Sequence, residues 1–244
     1  MNIGIIGYTG KMGRALLEIA KKDNLKISVV YSREIMPIVD IQLDPQIHVT
    51  TKYSQLIEMC DVVIDFSRPE STLKVIKHCI EQNRPIVSGT TGFTSDEMDQ
   101  IIKAGEHTKV FYSANMSLGI AILSHIMKQA ATLFMKNSVE IDIAILERHH
   151  KHKADKPSGT AMMLANSLNK TFNHMLHPEI ASLRYGTTIG EHEVTIASDF
   201  EALTLTHHAI NRCIFAIGAV CATKFLLNQQ KNGFYTMNDM ITLT

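Results

Sequence analysis

Cysteine is scarce in this chain of 244 residues: four in all, at Cys60, Cys79, Cys213 and Cys221, with no CxxC pair among them. That density does not build a disulfide framework, and the apolar, helix-like surroundings read as buried free thiols in a reducing compartment. A surplus of charge is lacking too, since 24 Lys and Arg face 24 Asp and Glu. No global field therefore draws the protein to nucleic acid or to a membrane surface, and any preference for a charged ligand has to come from local clustering. Long apolar runs are missing; none approaches the length of an uninterrupted bilayer span, and the first one, Ile3–Ile6, breaks at once into Gly7 and Gly10 rather than extending into a secretory leader. There is no internal repeat and no low-complexity tract. The expectation is a cytoplasmic enzyme or binding protein of ordinary globular composition, large enough to bury its own core.

What is present is periodic. Asn2–Ile6 is a short, isoleucine-rich strand, followed by helical spacing over Lys11–Lys22. Further buried strands are expected at Ile27–Tyr31, Asp61–Asp65, Pro85–Val87 and Lys109–Tyr112, with a helix over Ser71–Glu81. Repeated strand–helix units predict an α/β fold with a Rossmann-type parallel sheet. After about Ser117 the pattern changes. A long apolar helix, Leu118–Phe134, leads to an alternating strand, Val139–Ile145, and then to a helix over Ser158–Leu168. An alternating pair, His192–Ala197 and Ala202–Thr206, predicts a hairpin. This is a smaller α+β domain with an open mixed sheet. Its Thr-bearing second face is either solvated or packed on another subunit; the second choice predicts a homo-oligomer. The apolar helix Cys213–Leu227 is expected to return to the first domain. The division is thus residues 1–117 with 212–244 for dinucleotide binding, and 118–211 for substrate binding and oligomerisation.

Gly7-Tyr8-Thr9-Gly10-Lys11-Met12-Gly13 joins the first strand to the first helix. Glycines at such a turn let the backbone approach a pyrophosphate, and the helix N-terminus adds N–H donors and a positive dipole end. The spacing is GxxGxxG, with Tyr8 where the usual GxGxxG motif starts. A purely structural turn also uses glycines. At the end of the second strand, Ser32 and Arg33 supply a hydroxyl and a cation that suit the 2′-phosphate of NADPH, although Glu34 lies beside them and NADH remains the alternative. Two more strand ends carry small polar residues: Gly89-Thr90-Thr91, and Ser113-Ala114-Asn115-Met116. Both are expected to border the cofactor, because ligands of such sheets bind beyond the carboxyl ends of strands.

The segment Glu147–Ala161, ERHHKHKADKPSGTA, concentrates His149, His150 and His152 with Arg148, Lys151, Lys153 and Lys156. It reads as a loop of positive potential leading to a helix that Ser158 caps, with the N–H groups of Gly159 and Thr160 open to an anion. Such a loop suits a small dicarboxylate, and a histidine there can act as a general acid. A zinc site lacks a well-placed acid or cysteine partner, and a nucleic-acid patch lacks aromatics.

The same segment resembles the signature of the dihydrodipicolinate reductase family, E-x-H-H-x-x-K-x-D-x-P-S-G-T. The resemblance runs through GYTGKMGRAL at Gly7–Leu16, DFSRPEST at Asp65–Thr72, SGTTGF at Ser88–Phe93, SANMSLG at Ser113–Gly119, GEHEV at Gly190–Val194 and NGFYTM at Asn232–Met237. It implies hydride transfer from NADPH or NADH in the reduction of 4-hydroxy-tetrahydrodipicolinate to tetrahydrodipicolinate, on the diaminopimelate route to lysine. It also implies His149 as proton donor, Lys153 as its carboxylate-binding assistant, and substrate contacts from His150, Ser158, Gly159 and Thr160. Cofactor contacts would come from Gly7–Met12, Ser32, Arg33, Gly89–Thr91 and Ser113–Met116, and a homotetramer would form through the smaller domain. The stretch between Lys170 and Gly190 is shorter than family members commonly carry, and an acid often found near Ser32 is absent; both departures bear on assembly and cofactor choice. A different nucleotide-dependent dehydrogenase, or a non-catalytic nucleotide sensor, are the alternatives at this point.

Overall fold

The computed structural model describes residues 1–33 and 43–243. Glu34, weighed above against Arg33, lies outside the described residues. The chain divides into two compact units, Met1–Ser117 with Cys213–Thr244, and Leu118–Arg212.

In chain order the first unit begins with β1 (Asn2–Ile6), α1 (Lys11–Lys22), β2 (Lys26–Tyr31), β3 (His48–Thr50), α2 (Tyr53–Glu58) and β4 (Val62–Asp65). It continues with α3 (Pro69–Glu81), β5 (Ile86–Ser88), α4 (Ser95–Ala104) and β6 (Lys109–Tyr112). The second unit holds α5 (Leu118–Lys136), β7 (Asp142–His149), α6 (Gly159–Thr171), β8 (Glu179–Arg184), β9 (Glu191–Ala197) and β10 (Ala202–His208). The chain then re-enters the first unit with α7 (Cys213–Asn228), β11 (Gly233–Tyr235) and α8 (Met237–Thr242).

The first unit's sheet is parallel throughout, in the order β11-β6-β5-β4-β1-β2-β3. All four residues of β4 are buried, and its first three, Val62, Val63 and Ile64, form a continuous apolar run rather than an alternation. α1 buries Leu16, Ile19 and Ala20, and ends on Lys21 and Lys22, which suit the negative end of its dipole. α1 packs with α7, which crosses β4, β5 and β6, while α2, α3 and α4 form a second group of neighbours. The core between sheet and helices includes Ile6, Val29, Leu56, Val63, Val75, Ile86, Ile101 and Val110. From β1 the chain winds to β2 and β3 on one side; from β4 it winds to β5, β6 and finally β11 on the other. The order reverses between β1 and β4, and ligands of open α/β sheets bind at that switch point, beyond the strands' carboxyl ends.

The second unit has a mixed sheet, β10-β9-β7-β8, in which β7 and β8 are parallel and the other pairs antiparallel. The helices α5 and α6 cover its apolar face, burying Ile143, Ile145, Val194 and Ile196 against Leu123, Met127, Leu164 and Leu168. α5 has the length and apolar content of a bilayer span; one face of it, with Ile120, Leu123, Met127 and Ala131, packs into this core, while Leu118, Ile122, Ile126 and Leu133 are exposed.

One expectation needs correction. Glu147, Arg148 and His149 are not loop residues: β7 continues to His149, and only the residues after it leave the strand. Glu147 and His149 keep the buried register of Ile143 and Ile145. The hydropathy alternation ends at Ile145 because the two residues that continue it are ionisable, and they are tolerated inside because Glu147 is bonded to both His149 and Arg184.

Candidate active site

In the first unit, Gly7 turns the chain out of β1 with φ of 81°, and a Cβ there would meet the Phe66 carbonyl oxygen at 2.3 Å. The fold itself demands that glycine. Gly10 is different: its backbone is extended, and among the described residues an added Cβ would meet only Gly7 O, at 3.3 Å. Gly10 is the N-cap of α1, offers no capping side chain, and is followed by no acid in the first turn. A helix start of this kind leaves N–H donors and dipole for an anion from outside.

A cavity of about 530 Å³ opens beside it, lined by Ile6, Gly7, Thr9 and Gly10 from the β1 turn, Tyr31, Ser32 and Arg33 from the end of β2, and Phe66, Ser67, Arg68 and Ser71 after β4. Among the described residues, two guanidiniums line it and no carboxylate does. Of the residues expected at the cofactor, this cavity gathers Gly7, Thr9, Gly10, Ser32 and Arg33. Tyr8 turns its ring into the core, with 2% exposed, while Lys11 and Met12 begin α1.

The remaining expected cofactor residues form two neighbouring loops that do not line that cavity. Asp65, fully buried at the end of β4, accepts hydrogen bonds from the hydroxyls of Ser67, Thr72, Ser88 and Thr90. Burial pushes its carboxyl above the usual carboxylate range, and the four hydroxyls oppose that rise. Thr90 also accepts from the Ser67 N–H at 3.0 Å, so its side chain ties the loops after β4 and β5 together. Gly89 lies directly against the Phe66 ring, and Thr91 is exposed. After β6, Ser113 Oγ donates to Asn115 O at 2.7 Å and Asn115 Oδ1 accepts from Ser117 N–H at 2.9 Å. These bonds shape the turn that holds Ala114 and buries Met116. Asp65, Phe66, Arg68 and Ser71 were not singled out from composition or spacing. Asp65 had one available signal, an acid at the end of a continuous apolar strand.

In the second unit the Glu147 carboxylate, wholly buried, is a hub. Its Oε1 accepts from Arg184 Nη2 at 2.6 Å and from the Ser158 N–H at 3.1 Å; its Oε2 accepts from Arg184 Nη1 at 2.8 Å and from His149 Nδ1. Burial pushes the Glu147 carboxyl upward, but the bonds from Arg184, Ser182 and His149 outweigh it and bring it down to about 2. Burial lowers His149, and Glu147 opposes that fall. His192, on β9, sits across from Glu147, with its ring 5.2 Å from that of His149 and its Nε2 3.3 Å from Ser158 Oγ. Burial, with His149 beside it, pulls His192 down to about 4, so it is neutral near pH 7. Gly190 stands next to His149 Nε2, where a Cβ would come within 3.1 Å.

Ser158 caps α6, accepting from the Ala161 N–H at 3.1 Å, and is buried. Gly159 is exposed, with nothing within 4 Å of an added Cβ, and Thr160 follows in the first turn of α6. The carboxylate of their neighbour Asp155 accepts twice, from Lys153 Nζ at 2.7 Å and from the Gly159 N–H at 3.3 Å. His150 is half-buried, its ring 6.5 Å from that of His152. The basic cluster is smaller than expected. Arg148 lies on the other face of the sheet, held by Glu191 at 3.7 Å and Glu193 at 3.4 Å, because adjacent strand residues point to opposite faces.

A parallel sheet that reverses order at a glycine turn, with a cationic cavity at the reversal, defines a Rossmann-type nucleotide-binding protein. The comparisons with known proteins narrow this. Residues 1–116 match the family model for the dihydrodipicolinate reductase N-terminus and residues 119–241 that for its C-terminus. The 4-hydroxy-tetrahydrodipicolinate reductase of Sulfurimonas denitrificans is 34% identical over 100% of both chains. That of Wolinella succinogenes is 37% identical over 98% of both. The solved structure of dipicolinate-bound dihydrodipicolinate reductase from Paenisporosarcina sp. TG-14 has the same fold, with a TM-score of 0.81 at 21% identity over 99% of both chains. The chain belongs to the dihydrodipicolinate reductase family, and it is an oxidoreductase.

Proposed function

We propose that this enzyme reduces 4-hydroxy-tetrahydrodipicolinate to tetrahydrodipicolinate in the cytoplasm, on the diaminopimelate route to lysine, using NADPH in preference to NADH. The observation that carries the reading is the pair of glycines the fold does not require, Gly10 and Gly159, each exposed at a helix start. Among the described residues an added Cβ would meet nothing within 4 Å at Gly159 and one tight 3.3 Å contact, with Gly7 O, at Gly10, well short of the 2.3 Å clash at Gly7, which fits close approach of an anionic ligand: a pyrophosphate at Gly10, a carboxylate at Gly159. The first unit fits a dinucleotide, with Gly7–Met12 at the pyrophosphate, Ser32 and Arg33 at the adenosine ribose, and Gly89–Thr91 and Ser113–Met116 along the rest. When bound, that cofactor supplies the hydride.

The second unit's residues bind the dicarboxylate and deliver a proton. Gly159 and Thr160 receive one carboxylate at the N-terminus of α6, and Lys153 and His150 add positive charge and hydrogen bonds. Ser158 is buried, so it serves by fixing that helix start from beneath. His149 supplies the proton from Nε2. Because the Glu147 carboxylate only accepts, Nδ1 carries the hydrogen between them and Nε2 is the nitrogen that titrates. The working assembly is a homotetramer formed through the second unit.

The test is loss of reduced-nicotinamide absorbance when the substrate, generated in situ, is added to the purified protein with NADPH. Turnover in the wild type and a kcat lower by about 10²–10⁴-fold in His149→Gln, with NADPH affinity unchanged, is the expected result. No oxidation of NADPH or NADH by the folded protein would overturn the activity, and full turnover in His149→Gln would remove the assigned proton donor.

A further inference from the structure

Glu147 is a wholly buried charged residue of the signature segment, and no part in the reaction has yet been given to it. It touches no solvent, so it does not meet substrate. Yet both its oxygens accept hydrogen bonds, and two of the partners, His149 and the Ser158 N–H, belong to the region assigned to the dicarboxylate, while Arg184 and Ser182 hold it from β8. Oε2 holds His149 Nδ1; Oε1 holds the Ser158 N–H at the cap of α6; Arg184 spans both oxygens. The Arg184 guanidinium also donates from Nη2 to the Asp155 carbonyl at 2.6 Å, tying down the loop between Lys153 and α6.

The register explains how this comes about. β7 and β8 run parallel with His149 opposite Arg184, and Glu147 is two residues earlier on the same face. One face of two neighbouring strands therefore presents an acid, an imidazole and a guanidinium within one reach. The titratable and charged groups facing Glu147 are His149 from its own strand, Arg184 from β8 and His192 from β9, with Lys153 acting on His149 from the loop beyond.

We infer that Glu147 is a positioning residue for the proton donor: with Arg184 keeping it ionised, it selects the His149 tautomer that has Nε2 available, orients the ring, and stabilises the imidazolium that must exist before the proton is delivered. The physical case rests on charge. A buried carboxylate without a partner is strongly disfavoured, and Arg184 removes that penalty through a two-pronged contact. A carboxylate that stays ionised can only accept, so the adjoining imidazole nitrogen must donate. The histidine is buried, and burial opposes its protonation; the neighbouring negative charge acts in the other direction. His192 is not part of this pairing: among the described residues its Nδ1 has no hydrogen-bond partner, and its Nε2 faces Ser158.

This inference rests on the reading of His149 as proton donor, and the experiment separates the two. Long-range ¹H–¹⁵N spectra of the ¹⁵N-histidine-labelled full chain report each tautomer directly. In the wild type, neutral His149 is expected as the Nδ1–H form; the Nε2–H form would overturn the proposal with no variant needed. Steady-state kinetics follow for Glu147→Gln, His149→Gln and the double variant, each checked for fold by NADPH affinity. Glu147→Gln keeps the shape but not the charge. Its kcat is expected to fall by about 10²-fold or more, the scale of general-acid catalysis. The loss of activity on raising pH should move to lower pH, because His149 holds its proton less well without the anion. In the His149→Gln background, the same change should cost nothing further. An undiminished loss in that background would make Glu147 merely structural. An unchanged kcat and pH profile in Glu147→Gln, with His149→Gln inactive, would sink the positioning role alone. A fully active His149→Gln would sink the donor assignment beneath it.

Discussion

Lys153 and Asp155 form an ion pair at 2.7 Å, and the second oxygen of the same carboxylate accepts from the Gly159 N–H at 3.3 Å. A side-chain carboxylate thus already occupies the ammonium and the helix-start donor assigned above to a substrate carboxylate. A bound dicarboxylate has to displace it. Asp155 is more than half exposed, and pairs so exposed contribute only about 0.2–1 kcal/mol. Asp155→Asn should therefore tighten binding of a pyridine dicarboxylate by at most about fivefold, measured calorimetrically. Weaker binding in the variant would show that Asp155 holds Lys153 in place for the ligand instead of competing with it.

Arg33 lines the cavity at the end of β2 together with Ser32 and Arg68. If Arg33 reads the 2′-phosphate, Arg33→Ala should raise the Kd for NADPH by about tenfold, the value of one charge-assisted hydrogen bond, and leave NADH nearly unaffected. Fluorescence titration with both nucleotides decides the matter. Equal loss for the two would assign Arg33 to the pyrophosphate or the ribose.

Two glycines three residues apart should respond oppositely to the same change. Gly7→Ala puts a Cβ within 2.3 Å of a main-chain oxygen at a positive φ, and should cost about 1–3 kcal/mol, visible as a lower Tm. Gly10→Ala makes a milder contact, 3.3 Å with Gly7 O at an ordinary φ, and should melt close to the wild type while losing nucleotide affinity. A Gly10→Ala protein that binds NADPH normally would mean that no ligand approaches the backbone there.

Acid should weaken the second unit in two steps. His192 falls from 6.5 when free to about 4 in the fold. The stability this represents is complete above about pH 6.5 and disappears as pH drops through 4, because the unfolded chain takes up the proton first. Glu147 falls from 4.5 to about 2, so its contribution is present above 4.5 and lost toward 2. Melting curves of the wild type and His192→Asn across this range should diverge between pH 6.5 and 4, with the variant the flatter of the two. Parallel curves would remove His192 as a source of acid sensitivity.

The strands and helices that sequence patterning revealed are those with enough residues to show a period. β1, α1, β4, β6, α5 and α7 each bury one face or both, and their apolar residues recur accordingly. β3 and β11, with three residues each, are too short to display alternation. β8 has an exposed residue at every second position and no strongly apolar face. α4 and α8 were readable in principle, since each starts with a reciprocal capping pair: Thr94 with Glu97, and Thr236 with Asp239. At the site, local spacing made the histidines and the glycine turn conspicuous. It could not indicate that Arg184 faces His149, because that neighbourhood exists only through the parallel pairing of β7 and β8. Nor did it indicate that Arg148 is spent on Glu191 and Glu193 on the opposite side of the sheet.

The route of the chain has a consequence for its synthesis. The second unit is spliced between β6 and α7, so the helix that crosses β4, β5 and β6, and the strand that extends the sheet beyond β6, are translated only after it. Until residues 213–244 emerge from the ribosome, the apolar surface meant for α7 is bare and β6 is an open edge. The inserted unit, whose elements are contiguous in the chain, can mature while its host is still waiting.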